Sequence, residues 1–398
     1  MRIVMFYHSL ISDWNHGNAH FLRGIAGELL SCGHDVRIYE DQDSWSVRNL
    51  IGMHGTAAID GFHSAYPRLK SIRYRPESLD LDDALEDAAL VLVHEWNPPE
   101  LVARIGKYRA RRGDFLLLFH DTHHRAVTAP HEIFKFDLSA YDGVLAFGEA
   151  ISSMYRARLG RKDIWTWHEA ADTRVFRPYA TRTNSSPIYE GDLVWIGNWG
   201  DGERTAELRE FLLEPVKQLG LKARIYGVRY PQHAMDELAA ANIEYGGWLP
   251  NYEVPRVFSR YRVTVHVPRR PYVKALPGIP TIRVFEALAC GIPLVSALWH
   301  DAENLFTPGR DYLLARDGQE MVRHLAALME KPELRSDLSD HARRTILVRH
   351  TCAHRVDELL RICGQIAKAR QTKPPASTSA DLAAGAEHLQ SSSRGAAA

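Results

Sequence analysis

Residues 278–296 read Gly-Ile-Pro-Thr-Ile-Arg-Val-Phe-Glu-Ala-Leu-Ala-Cys-Gly-Ile-Pro-Leu-Val-Ser. Starting from Ile282, apolar residues recur at the i, i+3 and i+7 spacing of one helix face, and Pro280 suits the first turn of that helix. Gly291 then predicts a left-handed helix end, which a short apolar run follows. The stretch therefore predicts a loop, a helix and a strand in this order.

The beginning of this helix has the chemical groups of a phosphate site. The N–H groups of the first turn, near Thr281 and Ile282, lack intrahelical acceptors and attract an anion. Arg283 and Glu286 share one helix face, where the carboxylate can accept hydrogen bonds from the two hydroxyls of a ribose. The alternative is a surface i, i+3 ion pair of about 0.2–0.5 kcal/mol, whose Arg-before-Glu order is the poorer one against the helix dipole. The spacing leaves both interpretations open.

Length and composition favour a two-domain protein without a strong net charge. The chain has 398 residues, of which 45% are hydrophobic, so it is long enough for two cores. Lys+Arg and Asp+Glu both number 49, which leaves no cationic excess for binding nucleic acid or an anionic membrane. The four cysteines lack metal or disulfide spacing and indicate a reducing compartment. With no segment long enough for a signal peptide or a membrane span, we expect a cytoplasmic protein.

Strands and helices alternate from the N-terminus onward. Residues 2–8 predict a buried strand, 19–31 a helix and 35–40 a second strand, which together make a βαβ unit with a ligand-facing loop around 16–18. Because this loop has no G-x-G-x-x-G motif, a plain connecting turn is an equal alternative. Residues 44–80 show no clear periodicity, and we expect an irregular insert there, on the acceptor side.

A cluster of titratable residues follows the predicted strand 115–119. His120, Asp121, His123 and His124 stand at the carboxyl end of that strand, where parallel α/β sheets build their sites. Three roles are open: metal ligation by these four side chains, a structural cap on the strand end, or a polar clamp on a sugar. The absence of a second cluster with ligand spacing weakens the metal interpretation.

The alternation resumes in the second half of the chain. Residues 193–196 predict a strand, and the glycine-rich turn 197–202 leads into a helix with Arg204 in its first turn. Because the helix dipole disfavours a cation at that end, this position favours an anion as the partner of Arg204. The alternative is a side chain turned towards solvent.

The same patterns divide the chain into segments. We predict a first domain over 1–178, a polar linker over 179–192, a second domain over 193–350 and a final helix over 351–370. The remaining residues, 371–398, are rich in Ala, Ser and Gly and cannot bury enough apolar surface to offset the entropy of ordering. We expect a disordered tail there, with no catalytic role.

The motif at residues 283–296, Arg-Val-Phe-Glu-Ala-Leu-Ala-Cys-Gly-Ile-Pro-Leu-Val-Ser, resembles the donor-site motif of GT-B glycosyltransferases of the retaining, GT4-like kind (glycosyltransferase family 1). With Gly-Ile-Pro-Thr before it, the stretch is most similar to the CgeB/YkvP spore-maturation branch. In the wider group two glutamates are separated by seven residues, and the second binds the donor ribose. Glu286 matches the second position, whereas Gly278 stands at the first. The role of the first carboxylate, usually contact with the donor sugar, therefore does not carry over.

This resemblance implies an α/β GT-B fold, in which two Rossmann-like domains face each other across a cleft and the C-terminal helix crosses back to the first domain. The nucleotide sugar is then expected mainly on the second domain and the acceptor mainly on the first. His120 is implied as a catalytic residue that faces the donor sugar, with Asp121 beside it. The family often places a lysine after the arginine that grips the diphosphate, and the candidates to replace it are Arg269, Arg270 and Lys274.

The resemblance assigns the remaining roles residue by residue. Trp248 and Leu249 belong to the base pocket, although a Trp in this position suits hydrophobic packing equally well. The acceptor-side residues are His16, Gly17 and Asn18. The implied donor-binding residues are Gly197, Asn198, Arg204, Trp248, Leu249, Lys274, Gly278, Ile279, Thr281, Ile282, Arg283 and Glu286.

The implied activity is transfer of a hexose, with retention at the anomeric carbon (class EC 2.4), from a nucleoside-diphosphate sugar to an unknown sugar, lipid, small-molecule or protein acceptor. We expect neither a metal nor another cofactor, because cationic side chains with a helix N-terminus can stabilise the leaving diphosphate. Two alternatives remain open: a nucleotide-sugar epimerase of the same fold, and a non-catalytic sugar-nucleotide-binding coat or interaction protein.

Overall fold

A computed structural model of the protein describes residues 1–179, 189–200 and 202–372. Most of the predicted linker 179–192 and nearly all of the predicted tail 371–398 lie outside the described residues. We call residues 1–179 the first half and residues 189–350 the second half. None of the described helices combines the length and the apolar character that crossing a bilayer requires.

The first half is built around a sheet of seven parallel strands in the order β3-β2-β1-β4-β5-β6-β7. Its elements in chain order are β1 (Arg2–Phe6), α1 (Ala19–Ser31), β2 (Asp35–Asp41), α2 (Trp45–His54), α3 (Ala57–Ala65), β3 (Ser71–Tyr74), a 3-10 helix (Pro76–Ser78), α4 (Leu81–Ala84), β4 (Ala88–His94), α5 (Pro99–Arg112), β5 (Leu116–Asp121), α6 (Arg125–Thr128), α7 (Pro130–Ile133), β6 (Gly143–Ala146), α8 (Glu149–Leu159) and β7 (Ile164–Thr166). The strand order reverses at β1, and ligands of such sheets bind beyond the carboxyl ends of the strands at that point.

The second half repeats this plan with six parallel strands in the order β10-β9-β8-β11-β12-β13, which reverses at β8. Its elements, followed by the last helix, are β8 (Gly191–Ile196), α9 (Thr205–Leu208), a π-helical segment (Arg209–Leu213), α10 (Glu214–Leu219), β9 (Ala223–Tyr226), α11 (Gln232–Ala240), β10 (Glu244–Tyr245), a 3-10 helix (Asn251–Glu253), α12 (Val254–Phe258), β11 (Tyr261–His266), α13 (Arg270–Ala275), α14 (Ile282–Cys290), β12 (Leu294–Ala297), β13 (Leu313–Ala315), α15 (Gly318–Glu330), α16 (Pro332–Arg349) and α17 (Cys352–Thr372).

Each sheet has its own apolar core, because its central strands are nearly continuous apolar runs covered by helices on both faces. Two side chains from the loop before α14, Leu276 and Ile279, pack into the core of the first half. The residues up to Leu359 form one compact unit. The loop that precedes α14 is thus held by both halves.

The beginning of α17 packs against the first half, as the predicted crossing of the C-terminal helix requires. The backbone N–H of Cys352 donates to the carbonyl of Ala171 at 3.0 Å. The indole N–H of Trp167 donates to the carbonyl of Arg355 at 2.8 Å. The two sheets and this return of the chain confirm the predicted fold class.

The stretch 278–296 folds into the predicted loop, helix and strand. Helix α14 ends at Gly291, whose φ of 71° is left-handed, and β12 follows. The placement of Pro280 in the first helical turn was wrong, because Thr281 is extended (φ −80°, ψ 159°) and the helix begins only at Ile282.

Two other expectations about local structure were wrong. Residues 44–80 are not irregular, since α2, α3 and β3 occupy most of them. The two helices bury only Ser46, Val47, Leu50 and Phe62, a stripe too sparse to recognise in the sequence. Strand β5 also continues through His120 and Asp121, which therefore lie within the strand and not after it.

Candidate functional site

A cavity of about 230 Å³ lies between the carboxyl ends of the two sheets. Its walls come from the loops after β1, β6 and β7 in the first half, and from the loops after β8 to β11 and the start of α14 in the second. The cavity brings together the following residues from the sequence prediction: His16, Gly17, Asn18, Gly197, Asn198, Arg204, Trp248, Leu249, Thr281, Ile282 and Arg283.

The loop after β1 comes very close to the start of α14. A Cβ atom at Gly17 would lie 2.9 Å from Cγ2 of Ile282, so one of the two segments would have to move. In the same loop, the side-chain carbonyl of Asn15 accepts a hydrogen bond from Nδ2 of Asn198. The residue at position 17 must therefore be a glycine if the two halves are to meet at this distance.

Asp13, in the same loop after β1, also connects the two halves. Its carboxylate accepts hydrogen bonds from Nε1 of Trp248 (3.0 Å) and from the backbone N–H of Asn251 (2.9 Å). Buried Arg23 donates to the same carboxylate at 2.9 Å and to two backbone carbonyls of the loop after β1. Because Arg23 is anchored in this way, it fixes Asp13 and, through it, the position of Trp248.

Three arginines, Arg204, Arg269 and Arg283, line the wall of the second half. Arg204 donates to the backbone carbonyls of Val267 (2.8 Å) and Asn198, while its Nε atom is buried without a partner. Burial and the like charges of Arg269 and Arg283 lower the pKa of Arg204. Like charges gathered in one cavity repel one another, and a bound anion relieves that repulsion.

The other two arginines have acidic partners. Arg283 pairs with Glu286, and Nη1 of Arg269 lies 3.3 Å from Oε2 of Glu203. The arginines are also beside the start of α14, where Thr281 makes no side-chain capping hydrogen bond. Since the first N–H groups of a helix have no intrahelical acceptor, this end of α14 adds partial positive charge to the cavity.

The hydroxyl of Thr281 is directed by a buried histidine. Ser296 Oγ donates to the carbonyl of Ala297, so it accepts from Nδ1 of His266 at 2.9 Å. The lone pair of His266 Nε2 then accepts the hydroxyl hydrogen of Thr281 at 3.1 Å. Burial lowers the pKa of His266 to about 3, which keeps the ring neutral in this arrangement. The hydroxyl hydrogen of Thr281 is therefore already donated to His266. Only the lone pairs of the hydroxyl oxygen remain available to other partners.

Glu286 lies behind the cavity wall and is fully buried. Its carboxylate accepts a hydrogen bond from Nδ2 of Asn251 (2.7 Å), is paired with Arg283, and lies 3.1 Å from Nδ1 of His20. Nε2 of His20 accepts from the backbone N–H of Asp172 at 2.8 Å, so the ring hydrogen is on Nδ1 and faces Glu286. Burial would raise the pKa of Glu286, but Arg283, His20 and Asn251 together hold it below its usual value.

Glu169 also lines the cavity, on the first-half wall, together with Phe147 and, from the second half, Tyr272. The residue is only 4% exposed, and its Oε1 atom has no hydrogen-bond partner. Burial, together with the negative charge of Glu286, raises the pKa of Glu169 to about 8. At neutral pH this side chain is an uncharged carboxyl group.

His120 and Asp121 are not among the residues that line the cavity. His120 Nδ1 is 2.7 Å from the hydroxyl of Tyr7, its Nε2 is buried without a partner, and burial lowers its pKa to about 3. Asp121 accepts from the hydroxyl of Tyr155 and the backbone N–H of His123, both at 2.9 Å. These bonds anchor the loop after β5, and the catalytic roles of both residues stay predictions.

Three predicted donor-binding residues also lie outside the cavity lining. Lys274 is exposed on α13, and Ile279 belongs to the core of the first half. Gly278 has a left-handed φ of 88°, and a Cβ atom there would lie 2.6 Å from Cγ of Glu303. The space at position 278 that a larger side chain needs is thus occupied by Glu303.

Two histidines of the first half, His16 and His123, remain uncharged at neutral pH. Burial lowers the pKa of His16 to about 4 and that of His123 to about 2. Nδ1 of His16 is 3.2 Å from Nε2 of His8, and its ring contacts Trp45 and Trp96.

Within the described ranges no group of three or more His, Cys, Asp or Glu residues is arranged to hold a metal ion.

Comparison with known proteins supports the same architecture. A family described as Glycosyl transferase-like matches residues 204–361. The chain is similar in structure to an alpha-glucosyltransferase in complex with UDP and a 13-mer DNA containing a HMU base (TM-score 0.66, 12% identity, 92% of this chain and 99% of that chain). The chain has the GT-B fold.

Two further solved structures have comparable similarity. One is Anabaena Alr3699/HepE in complex with UDP and glucose (TM-score 0.61, 14% identity, 94% of this chain and 100% of that chain). The other is sucrose-phosphate synthase from Thermosynechococcus elongatus (TM-score 0.61, 14% identity, 92% of this chain and 99% of that chain). No curated protein sequence matches the chain.

Sequence reasoning missed several cavity residues, among them Asp13, Phe147, Glu169, Asn251 and Tyr272. Phe147 and Glu169 follow β6 and β7 at the carboxyl edge of the first sheet, where a site is expected. The position at a strand end was therefore a usable signal for these two residues. The others lie in loops and helix ends without a motif.

Proposed function

We propose that this protein is a glycosyltransferase that transfers a sugar from a nucleoside-diphosphate sugar bound in the cavity. The observation that carries the proposal is the convergence of Arg204, Arg269 and Arg283 with the start of α14 on one wall. A diphosphate is the anion that such a wall suits, because it spreads charge over several oxygens within reach of several donors. When the sugar leaves, the same donors stabilise the charge that develops on the diphosphate.

The nucleoside is assigned to the part of the second-half wall that contains Val228, Trp248 and Leu249. Asp13 fixes the indole of Trp248, which offers a flat apolar surface for a base. The ribose is assigned to Glu286. Because Glu286 is now engaged by Asn251, Arg283 and His20, ribose binding requires one of these partners, or the short segment around Asn251, to move aside.

The size of the cavity favours a closed arrangement that opens to admit the donor. Small-molecule pockets usually span about 300–1,000 Å³, whereas this cavity is about 230 Å³. The bonds of Asp13 and Asn15 to the second half are among the contacts that opening has to break. Closure after binding would exclude water from the diphosphate and so protect the donor from hydrolysis.

UDP is the nucleotide with which to begin, since two of the similar proteins were solved with UDP. We further propose retention at the anomeric carbon and membership of the CgeB-like branch, which are supported only by the motif at 278–296, and metal-independent transfer, which the cationic side chains beside the start of α14 support. Four free cysteines support a reducing, cytoplasmic setting. The acceptor is expected at the loop with His16, Gly17 and Asn18, and its chemical class is open.

The test is a turnover experiment with UDP-glucose, UDP-galactose and UDP-N-acetylglucosamine, each with and without a mixed panel of sugar and lipid acceptors. We expect release of UDP that depends on an acceptor and persists in EDTA, and NMR of the product gives the anomeric configuration. Formation of an epimer without any acceptor identifies the epimerase alternative. Tight binding without turnover over the whole panel supports the non-catalytic alternative, and failure to bind any nucleotide rejects the proposal.

A further inference from the structure

Glu169 differs from every other buried carboxylate in the described part of the chain. Seven acidic residues are classed as buried there: Glu40, Glu95, Asp121, Glu169, Asp172, Glu286 and Asp311. Six of them accept at least one hydrogen bond from a backbone N–H, a hydroxyl, an amide or an arginine. Glu169 has neither a hydrogen bond nor an ion pair among the contacts of the described residues.

A buried carboxyl without a partner is costly, so a fold retains it where a ligand supplies the partner. Glu169 meets the geometric condition, because it lines the cavity although the residue is 96% removed from solvent. The arginines that line the same cavity make no ion pair with it within the described ranges. The ligand group that suits Glu169 is therefore one that forms hydrogen bonds with a carboxyl group and carries no positive charge.

The protonation state narrows the chemistry of that group. Glu286 on α14 is the charged group that acts on Glu169, and Tyr272 on α13 is the titratable group beside it. Neither offers a positive charge. We call the second-half wall with Arg204, Arg269 and Arg283 the arginine wall, and a diphosphate bound there would add further negative charge to the cavity. A neutral carboxyl donates one hydrogen bond and accepts others, the combination that a sugar hydroxyl also offers.

We propose that Glu169 is the residue that recognises the transferred sugar, by exchanging hydrogen bonds between its side-chain carboxyl and a hydroxyl of an uncharged pyranose. This inference rests on the proposed function, because the arginine wall places the diphosphate on the second-half side and leaves the first-half side to the sugar. A sugar that carries a carboxylate adds a further negative charge to the cavity and is bound less well. The pyranose also finds apolar surface on Phe147 and Tyr272.

The experiment compares UDP with whichever of UDP-glucose, UDP-galactose and UDP-N-acetylglucosamine binds tightest, by titration calorimetry on wild type, Glu169→Ala and Glu169→Gln. We expect Glu169→Ala to weaken binding of the UDP-sugar about 10-fold and to leave UDP affinity within about 2-fold. Glu169→Gln should keep most of the sugar affinity, because an amide also donates and accepts. Circular dichroism and thermal unfolding check that both variants fold.

A pH series separates recognition from a structural role. Wild-type affinity for the UDP-sugar should fall as the pH rises past about 8, where Glu169 ionises, whereas the affinity of Glu169→Gln should not show this fall. Equal UDP-sugar affinity in wild type and Glu169→Ala, or a parallel loss of UDP and UDP-sugar binding, overturns the inference while the proposed function stands. Absence of binding of UDP and of every other nucleoside diphosphate to wild type overturns both.

Discussion

The two walls of the cavity are built from opposite chemistry. The second-half wall contributes Arg204, Arg269, Arg283 and a helix N-terminus, whereas the first-half wall contributes the uncharged ring of His16 and the neutral carboxyl of Glu169. Each wall has one buried glutamate, Glu286 behind the second-half wall and Glu169 in the first-half wall. Glu286 is surrounded by an arginine, an amide and an imidazole, while Glu169 has no partner.

This difference fits two separate roles of the two walls. A charged carboxylate that is already satisfied organises the residues around it and costs the fold little further energy. An unsatisfied one costs the fold stability and is retained for a ligand. Under the proposed function, the preorganised cationic wall binds the diphosphate and the neutral wall binds the sugar.

The largest effect is expected from Glu286→Ala. This change leaves Arg283, His20 and Asn251 without their shared acceptor in a buried place, and breaking a buried pair in this way costs about 3–5 kcal/mol. Urea denaturation should show that loss, and UDP affinity should fall as well. Glu286→Gln should lose less, because it keeps an acceptor oxygen.

The matched control is Glu237→Ala, which removes the acidic partner of surface-exposed Arg209. Its unfolding free energy should change by no more than about 1 kcal/mol. A loss in Glu286→Ala as small as that in this control would mean that the carboxylate does not organise the second-half wall.

The next effect concerns the pH dependence of stability through Glu169. Its pKa is raised on folding to about 8, so between the unfolded pKa and pH 8 the folded chain binds more protons than the unfolded one. Stability therefore falls as the pH rises through this window, by at most about 1.4 kcal/mol per pH unit. Denaturation of Glu169→Gln should lack this contribution, and identical pH profiles of variant and wild type would show that Glu169 is solvated or paired.

The smallest effect on stability is expected from Gly17→Ala, with a clear effect on turnover. The added Cβ meets Cγ2 of Ile282 at 2.9 Å and pushes the first-half loop away from the start of α14. We expect a loss of about 1 kcal/mol in unfolding free energy and roughly 10-fold in kcat/KM. Gly52→Ala is the control, since a Cβ there meets nothing within 4 Å. Similar activity of both variants would show that this contact does not shape the site.

Much of the fold could be predicted from the sequence, because long segments with a regular apolar spacing also have residues that mark where each helix or strand begins and ends. Helix α1 was predicted at its observed bounds, Ala19–Ser31, from a dense apolar stripe and the Gly33 that follows. The insert at 44–80 was missed because its helices bury few side chains. A helix that buries so few apolar side chains can be recognised only when the part of the protein against which it packs is known.

The site was predictable only where a motif marks it. Arg204 and Arg283 follow from glycine-rich turns and from the motif at 278–296, and both reach the cavity. Asp13 and Glu169 are single polar residues in loops. Only the folded chain shows that the carboxylate of Asp13 accepts three hydrogen bonds, whereas the carboxyl group of Glu169 has no hydrogen-bond partner among the described residues. The sequence did not show that Tyr7 and Trp167 lie against the ring of His120, whose catalytic role stays a prediction.

The central claim is that the arginine wall binds a diphosphate, and titration calorimetry with UDP on Arg204→Ala tests it most directly. Arg209→Ala, a few residues further on and paired with Glu237 at the surface, is the control. We predict that wild type and Arg209→Ala bind UDP equally and that Arg204→Ala binds it about 1–3 kcal/mol more weakly. Equal UDP affinity in all three proteins would contradict the account.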